Sequence, residues 1–236
     1  MEKTNYIVMF TLGMTIIVAL LLAGLFYGTK DGVAQNKDVF NKRAILSAIS
    51  DKLEKPVGEF SDEEVLALFD KNVEQKVLDM EGNEINGIKA ETVDTQQERK
   101  KPLSNQQLPL FIYNGGGEKL YIVSVRGNGL WNEIWGNIAL QSDFNTVVGA
   151  AFDHAGETPG LGAEIKDNPV FANNFRGKKL YRDGEFVSIN VRKGGAKDPI
   201  HDVDGISGAT VTANGVDEML YRGIKYYEPF FQKVKG

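Results

Sequence analysis

A short run near the C-terminal end of the chain combines small residues with two hydroxyl side chains. It consists of Asp204, Gly205, Ile206, Ser207, Gly208, Ala209 and Thr210, and a third hydroxyl side chain, Thr212, follows closely. A helical pattern begins directly after the run. Bare backbone amides at a helix N-terminus favour a bound anion, because unsatisfied N–H groups and the helix dipole both attract negative charge. The run therefore predicts a phosphate site, with a Ser/Thr-rich helix cap over a tight turn as the alternative.

A second compact turn lies in the middle of the chain, where His154-Ala-Gly precedes Glu157-Thr-Pro-Gly-Leu-Gly162. Proline and glycine fix tight turns. From such a turn Glu157, Thr158 and Leu161 can project together, while His154 can form a local hydrogen bond. An ordinary Gly/Pro turn is the alternative at this point.

The elements that must position these two runs are predicted by hydrophobic periodicity. Strands are predicted over 119–125, 146–152 and 185–191, the last with an alternating, half-buried pattern. A final amphipathic helix buries Val216, Met219, Leu220, Ile224 and Tyr227. These elements predict an α+β domain with a twisted antiparallel sheet and flanking helices.

The N-terminal part of the chain is predicted to be a membrane anchor over residues 1–30. Residues 6–29 contain no charge, and roughly 20 apolar residues span the hydrocarbon core. A cleaved signal peptide is disfavoured, because the apolar run is too long and the preceding segment has little positive charge. Lys3 and Lys30 lie on opposite sides, each with an acidic neighbour, and leave the orientation open.

Residues 31–110 are predicted to form a membrane-proximal region, and residues 111–236 a separate ligand-binding domain. A helix is predicted over 35–51, and a second starts at Ser61, which forms a capping box with Glu64. Residues 81–102 show no sustained period and predict an irregular or weakly ordered surface connection.

The composition excludes several classes of function. The 236 residues have a formal net charge of −5, which argues against nucleic acid as a partner. There is no cysteine, so disulfides, iron–sulfur ligation and thiol catalysis are excluded. With only two histidines a multi-histidine metal site is not expected, and no metal or catalytic residue is assigned.

The run Asp204-x-x-Ser-Gly-Ala-Thr210 resembles the flavinylation motif of the FMN-binding domains in sodium-translocating NADH:quinone oxidoreductase and related membrane complexes. In that family a flavin transferase uses FAD to attach FMN, through its phosphate, to the last threonine of the motif. The resemblance thus implies a covalent FMN on Thr210. Asp204 is assigned, as a hypothesis, to positioning the hydroxyl or a metal during attachment.

The turn at 157–162 resembles the flavin-contacting loop of the same family, and the two motifs occur in the family's order. The resemblance implies that Leu161 contacts the flavin face and that Glu157 and Thr158 bind its edge. Trp131 is predicted either near the flavin or in the core, and Lys193 either near the flavin or its phosphate or in solvent. The full set of predicted cofactor-binding residues is Trp131, Glu157, Thr158, Gly160, Leu161, Lys193, Asp204, Ser207, Gly208, Ala209, Thr210 and Thr212.

The resemblance implies an electron-transfer subunit with little turnover alone, anchored by one span in a bacterial inner membrane with a periplasmic flavin domain. Its implied partners are the other subunits of the sodium-translocating complex, a flavin transferase during maturation, and membrane lipid. Two alternatives stay open. One is the related flavin subunit of a ferredoxin:NAD⁺ oxidoreductase complex, and the other is a non-redox anchored module that binds a phosphate-containing ligand.

Overall fold

The computed structural model describes residues 2–235, and its N-terminal part is one long helix. Helix α1 runs from Glu2 to Ser47. Among the described residues it is the one helix long and apolar enough to span a membrane, and it contains the predicted anchor. The helix predicted over 35–51 is the last part of α1, which ends at Ser47, and a 3-10 turn follows at Ser50–Lys52. No proline interrupts the chain before Pro56. One compact unit ends at Asn41 and a second begins at Lys42.

A five-stranded antiparallel sheet forms the centre of the second unit. Its strands are adjacent in chain order: β1 Val73–Leu78, β2 Leu108–Gly115, β3 Glu118–Asn128, β4 Glu133–Leu140 and β5 Val147–His154. The predictions of strands over 119–125 and 146–152 and of an antiparallel sheet are confirmed. The structure adds β1, β2 and β4, and the domain boundary expected at residue 111 falls inside β2.

The remaining helices are mostly short: α2 Asp62–Asn72, α3 Thr95–Glu98, α4 Glu164–Asp167, α5 Pro169–Asn173, α6 Thr210–Lys225 and α7 Glu228–Lys235. Single 3-10 turns occur at Ser50–Lys52, Val57–Glu59, Ala90–Thr92 and Leu103–Asn105. The predicted capping box is confirmed, since Glu64 N donates to Ser61 Oγ at 3.2 Å and Ser61 N donates to Glu64 Oε2 at 2.7 Å. The connection over 81–102, predicted to be irregular or weakly ordered, contains the 3-10 turn at Ala90–Thr92 and helix α3. It is tied to β3, because Arg126 Nε donates to Thr95 Oγ1 at 3.0 Å.

Helix α6 packs directly on the backbone of β3. Its predicted apolar face is confirmed for Val216, Met219, Leu220 and Ile224, which are all buried. Tyr227, predicted on the same helix, is buried but lies between α6 and α7. A Cβ atom at Gly215 would collide with the carbonyl oxygen of Asn128, and one at Gly127 would lie 2.7 Å from Met219 Cβ. The helix and the strand therefore approach as closely as two glycines permit, which fixes the N-terminus of α6 beside the end of β3.

The strand predicted over 185–191 is wrong as a single element. The structure has β6 Tyr181–Arg182 paired with β7 Glu185–Phe186, and β8 Asn190–Arg192 paired in parallel with β9 Asp202–Asp204. Between β7 and β8 the chain turns at Ser188, whose φ is 62°. Both Val187 N and Ser188 N donate to Leu180 O, at 2.8 and 3.0 Å, so this stretch forms a tight turn instead of a continuous strand.

Replacing Ser188 with glycine is expected to stabilise the protein by about 1 kcal/mol. The left-handed conformation costs a non-glycine residue roughly 1–2 kcal/mol, and the buried Ser188 Oγ has no hydrogen-bond partner among the described residues. Glycine removes both penalties and loses about 0.5–1 kcal/mol through greater freedom of the unfolded chain. Chemical denaturation of the full chain measures the difference. The exposed Ser142, which has no positive φ, is the control, and Ser142→Gly should slightly lower stability. A loss of stability in Ser188→Gly would contradict the expectation.

Candidate flavin site

The loop between β9 and α6 leaves the N-terminus of the helix open. Ala209 is the N-cap residue of α6, and no side chain in the described part of the chain caps the helix. Gly208 has a φ of 76° and, with Ser207, is exposed, whereas Thr210 is half-buried as the first residue of the helix. The first-turn amides of α6 thus face a loop of small residues. Such an open helix end can hold a phosphate by its N–H groups and its dipole.

Asp204 and Lys193 lie on the β8–β9 side of this loop. Asp204 Oδ1 accepts a hydrogen bond from Ala196 N at 2.7 Å, so the carboxylate holds the loop that follows β8 and makes no hydrogen bond to Thr210. Gly205 N donates to Arg192 O at 2.8 Å, which places the backbone of Lys193 beside the run, while the Lys193 side chain is exposed. The structure therefore brings both residues to the loop, with Asp204 in a local structural role.

Glu157 points into the protein and joins three segments. Its Oε1 accepts from Trp131 N at 2.9 Å and Asn132 N at 3.2 Å, and its Oε2 accepts from Thr212 Oγ1 at 2.7 Å. The side chain is buried. A Cβ atom at Gly129 would lie 2.5 Å from Oε1, and one at Gly162 would collide with Oε2. Sequence reasoning assigned Glu157 to the flavin edge, but both of its oxygens are used to connect the 129–132 loop, its own turn and α6.

The charge state of Glu157 follows from these contacts. Burial alone would raise the pKa of the carboxyl group, but the hydrogen bonds from Thr212, Trp131 and Asn132 outweigh burial and lower the pKa below its ordinary value of 4.5. The carboxylate is therefore ionised at neutral pH. His154 supports the same turn, because its Nδ1 accepts from Glu157 N at 3.1 Å, which confirms the predicted local hydrogen bond.

Acid is expected to weaken the folded state through Glu157. A carboxyl group whose folded pKa is lowered contributes stability above its unfolded pKa and loses that contribution as pH falls through the folded value. We expect the unfolding free energy of the wild type to fall more steeply below about pH 4.5 than that of Glu157→Gln. Urea titrations across this pH range measure both slopes. If the unfolding free energies of the wild type and Glu157→Gln changed equally with pH, the three hydrogen bonds to the Glu157 carboxylate would not favour its ionised form.

Two exposed apolar side chains belong to the segments that Glu157 connects to α6. Trp131 is 70% exposed, so it is not a core residue, and its Nε1 donates to Thr158 Oγ1 at 3.1 Å. Leu161 is 41% exposed and lies against the loop, since a Cβ at Gly208 would be 2.8 Å from Leu161 Cδ2. Thr158 and Gly160 are exposed beside it.

The two motifs recognised in the sequence therefore lie against each other. Leu161 meets Gly208, and Glu157 binds Thr212, so the turn at 157–162 is held directly against the start of α6. An open anion site beside exposed apolar surface suits a ligand with a phosphate and a flat ring. Among the described residues no group of three or more histidine, aspartate or glutamate side chains could hold a metal ion.

Sequence reasoning missed Gly129 and Asn132, which pack against or bind Glu157. The role of Gly129 has no signal in the sequence, because nothing in a sequence shows that a carboxylate 28 positions later occupies the place of its Cβ.

Comparison with known proteins supports one family. The family of FMN-binding domains matches residues 129–225. The NqrC subunit of the Na⁺-translocating NADH-quinone reductase from Pseudomonas aeruginosa is 31% identical over 93% of this chain and 91% of its own length. The same subunit from Vibrio anguillarum is also 31% identical, over 99% and 95%.

Solved structures give the same result. The crystal structure of NqrC from Parabacteroides distasonis superposes with a TM-score of 0.75 at 37% identity, over 86% of this chain and 96% of that one. The crystal structure of NqrC from Shewanella oneidensis superposes with a TM-score of 0.71 at 26% identity, over 85% and 98%. With an anchoring N-terminal helix, an FMN-binding domain and these relatives along most of its length, the chain belongs to the NqrC family of Na⁺-translocating NADH-quinone reductase subunits.

Proposed function

We propose that this protein carries one FMN, esterified through its phosphate to Thr210 Oγ1, and relays electrons within a Na⁺-translocating NADH:quinone oxidoreductase. The observation that carries the proposal is the position of Thr210. It is the first residue of a 16-residue helix without a side-chain cap among the described residues, at the point where the turn containing Leu161 meets the loop. A phosphoester at this hydroxyl would place its negative oxygens among the open amides of α6.

The residues around Thr210 fit the rest of the group. Leu161 and Trp131 offer exposed apolar surface for a ring, and Thr158 holds the indole of Trp131. Glu157 keeps the supporting segments together from behind. When bound, FMN supplies electron acceptance and donation, so the chain itself needs no acid–base pair. A covalent tether also allows an exposed cofactor, because retention no longer depends on affinity.

Attachment requires help from another protein. A threonine hydroxyl is a weak nucleophile at neutral pH and needs a base or a metal to activate it. We infer a flavin transferase that uses FAD. The new bond joins Thr210 Oγ1 to the phosphorus of the FMN half, the pyrophosphate bond of FAD breaks, AMP leaves, and the hydroxyl proton passes to the transferase. The exposed residues Ser207 and Gly208 leave the loop open to such an enzyme.

The membrane location and the partners of the protein are inferred from its N-terminal apolar helix and from its relatives. The apolar part of α1 would contact lipid in a bacterial inner membrane, with the flavin domain on the periplasmic side and other subunits of the complex as partners. NADH oxidation, quinone reduction and sodium pumping would belong to the assembled complex, and this chain alone would show little turnover.

Two other functions share the attachment site. A flavin subunit of a ferredoxin:NAD⁺ oxidoreductase complex would use the same threonine, but the similarity along nearly the whole chain to NqrC proteins favours the quinone-reducing complex. A non-redox module that binds a phosphate-containing ligand would need only the open helix end.

Maturation in the presence and absence of a flavin transferase tests the proposal. The full chain, expressed with the transferase, should give a fluorescent band on a denaturing gel, and peptide mass analysis should find the added mass on the peptide that contains Thr210. A dark band and an unmodified mass in transferase-matured protein would contradict the relay and favour the binding module.

A further inference from the structure

A cavity lies on the flank of α6 that faces β3 and the 95–109 segment. Its volume is about 190 Å³, more than ten times the roughly 15 Å³ that one water molecule requires. Its wall includes residues 127 and 128 of β3 and residues 215, 218, 219, 222 and 223 of α6. None of the residues predicted to bind flavin lines the cavity. The cavity is therefore separate from the site at Thr210, although both use α6.

Three arginines line this cavity, and two of them lie close together. Arg99 Nη1 donates to Gly127 O at 3.2 Å, and Arg126 Nη1 lies 3.1 Å from Glu133 Oε2. Glu133 pairs with both arginines, and its Oε1 lies 3.8 Å from Arg99 Nη1. Glu133 does not line the cavity. Burial lowers the pKa of Arg126, against the opposing effect of the Glu133 carboxylate. Arg99 and Arg126 share that carboxylate, and because a guanidinium group has several N–H donors, donors are left for an anion in the cavity.

The carboxylates in the wall are already engaged. Glu98 uses both oxygens, accepting from Lys101 Nζ at 2.7 Å and from Gln107 N at 2.9 Å. Glu218 Oε1 accepts from Arg222 Nη1 at 2.8 Å. Arg222, which pairs with Glu218, lines the cavity from α6, whereas the other two arginines belong to β3 and the 95–109 segment. Guanidinium groups on two walls can bind an oxyanion in the bidentate manner that arginine favours.

Part of the remaining wall is apolar, and polar side chains line the other part: Thr95, Gln106, Gln107, Ser124 and Asn128. Leu108, Pro109, Val125 and Met219 contribute carbon surface, and the ring of Tyr227 is fully buried at the same place, with its hydroxyl donating to Pro109 O at 2.8 Å. A bare inorganic ion would leave this surface uncovered. A ligand with an apolar body and an anionic head would satisfy both parts of the wall.

We propose that this cavity binds a small molecule that has a carboxylate or phosphate group on an apolar, ring-sized body. The arginines Arg99, Arg126 and Arg222 hold the anionic head, and the surface around Met219 and Val125 holds the body. The site is independent of the flavin. It nevertheless contacts the helix that begins at Thr210, so occupancy would act on the element that presents the attachment residue.

Fluorine NMR of the full chain in nanodiscs tests the proposal with 4-fluorobenzoate as the probe and its neutral amide, 4-fluorobenzamide, as the matched control. We expect saturable broadening of the 4-fluorobenzoate signal and little effect on the amide. The double variant Arg99→Gln/Arg222→Gln should weaken binding at least about tenfold, because it removes two charged donors. Both side chains are substantially exposed, so the variant should fold, and Arg126 stays in place to pair with Glu133.

Two controls separate the cavity from other sites. Arg182→Gln removes an arginine that pairs with Asp198 outside the cavity and should leave binding unchanged. Thr210→Ala should also bind the probe as the wild type does. Nanodiscs with and without phosphatidylglycerol distinguish a lipid headgroup, which would displace the probe, from a soluble ligand. The proposal is overturned by non-saturable broadening, by equal binding of the amide, by unchanged binding in the double arginine variant, or by loss of binding in Thr210→Ala.

Discussion

Thr210→Ala is expected to abolish the flavin fluorescence that survives denaturation, without disturbing the fold. The substitution removes the one oxygen to which the phosphate is proposed to be esterified. Thr210 is only half-buried, and its hydroxyl makes no hydrogen bond within the described part of the chain, so little stability should be lost. Alanine is also the best helix former. Denaturing gels of transferase-matured protein, normalised to total protein, measure the change, and intact mass should equal that of the unmodified chain.

The neighbouring hydroxyl groups provide matched controls for Thr210. Ser207 is exposed in the same loop, three residues earlier, and Ser207→Ala should keep full fluorescence. Thr212 is buried and donates to Glu157, so its hydroxyl cannot reach the transferase, and Thr212→Ser should also remain modified. Undiminished fluorescence in Thr210→Ala, or its loss in Ser207→Ala, would move the attachment to another residue.

Glu157→Ala is expected to destabilise the protein by about 3–5 kcal/mol. The change leaves the amides of Trp131 and Asn132 and the hydroxyl of Thr212 without their acceptor inside the protein. Hydrogen bonds to a charged group contribute about 1.5–3 kcal/mol each, and buried donors without partners are unfavourable in addition. Because the same carboxylate holds the Trp131 loop against α6, we also expect a lower yield of flavin attachment. Urea denaturation and gel fluorescence measure the two effects.

Glu164 is the matched control for Glu157. It is a half-buried glutamate at the start of α4 whose side chain makes no hydrogen bond or ion pair among the described residues. Glu164→Ala should therefore change the unfolding free energy by less than about 1 kcal/mol. Similar losses of unfolding free energy in Glu157→Ala and Glu164→Ala would show that Glu157 does not hold the Trp131 loop against α6. Glu157→Gln should fall between wild type and Glu157→Ala, since its amide keeps one acceptor oxygen.

The parts of the fold that sequence reasoning identified are those with a clean local signal. The anchor is visible as an uncharged apolar run, and α6 as a helical repeat from Val216 to Ile224, because each depends on one contiguous stretch. β2 was missed for a physical reason: its first six residues are all buried, so it shows none of the alternation that marks a half-exposed strand. The strand predicted over 185–191 does alternate, but Ser188 at positive φ ends it.

The sequence predicted which residues belong to the candidate site, but not how their side chains are arranged. The two motifs indicated which segments meet, and the structure does bring Leu161 and Gly208 together. Side-chain direction is a tertiary property, however. Nothing in the sequence shows that Glu157 turns inward to three donors or that Trp131 turns outward. The same limit applies to Asp204, whose carboxylate binds the amide of Ala196.

The close contact of Gly215 with Asn128 and of Gly127 with Met219 bears on how fast electrons could move. Electron-tunnelling rates fall exponentially with the separation between donor and acceptor. Positional freedom of a redox group therefore broadens the range of its electron-transfer rates. Here the first residue of α6 belongs to a helix whose Gly215 lies against the carbonyl oxygen of Asn128, and a main-chain atom cannot change rotamer as a bulky side chain can. A redox group on Thr210 would therefore move only by rotation about the bonds that join it to Thr210. Its attachment point would keep a constant distance from the sheet.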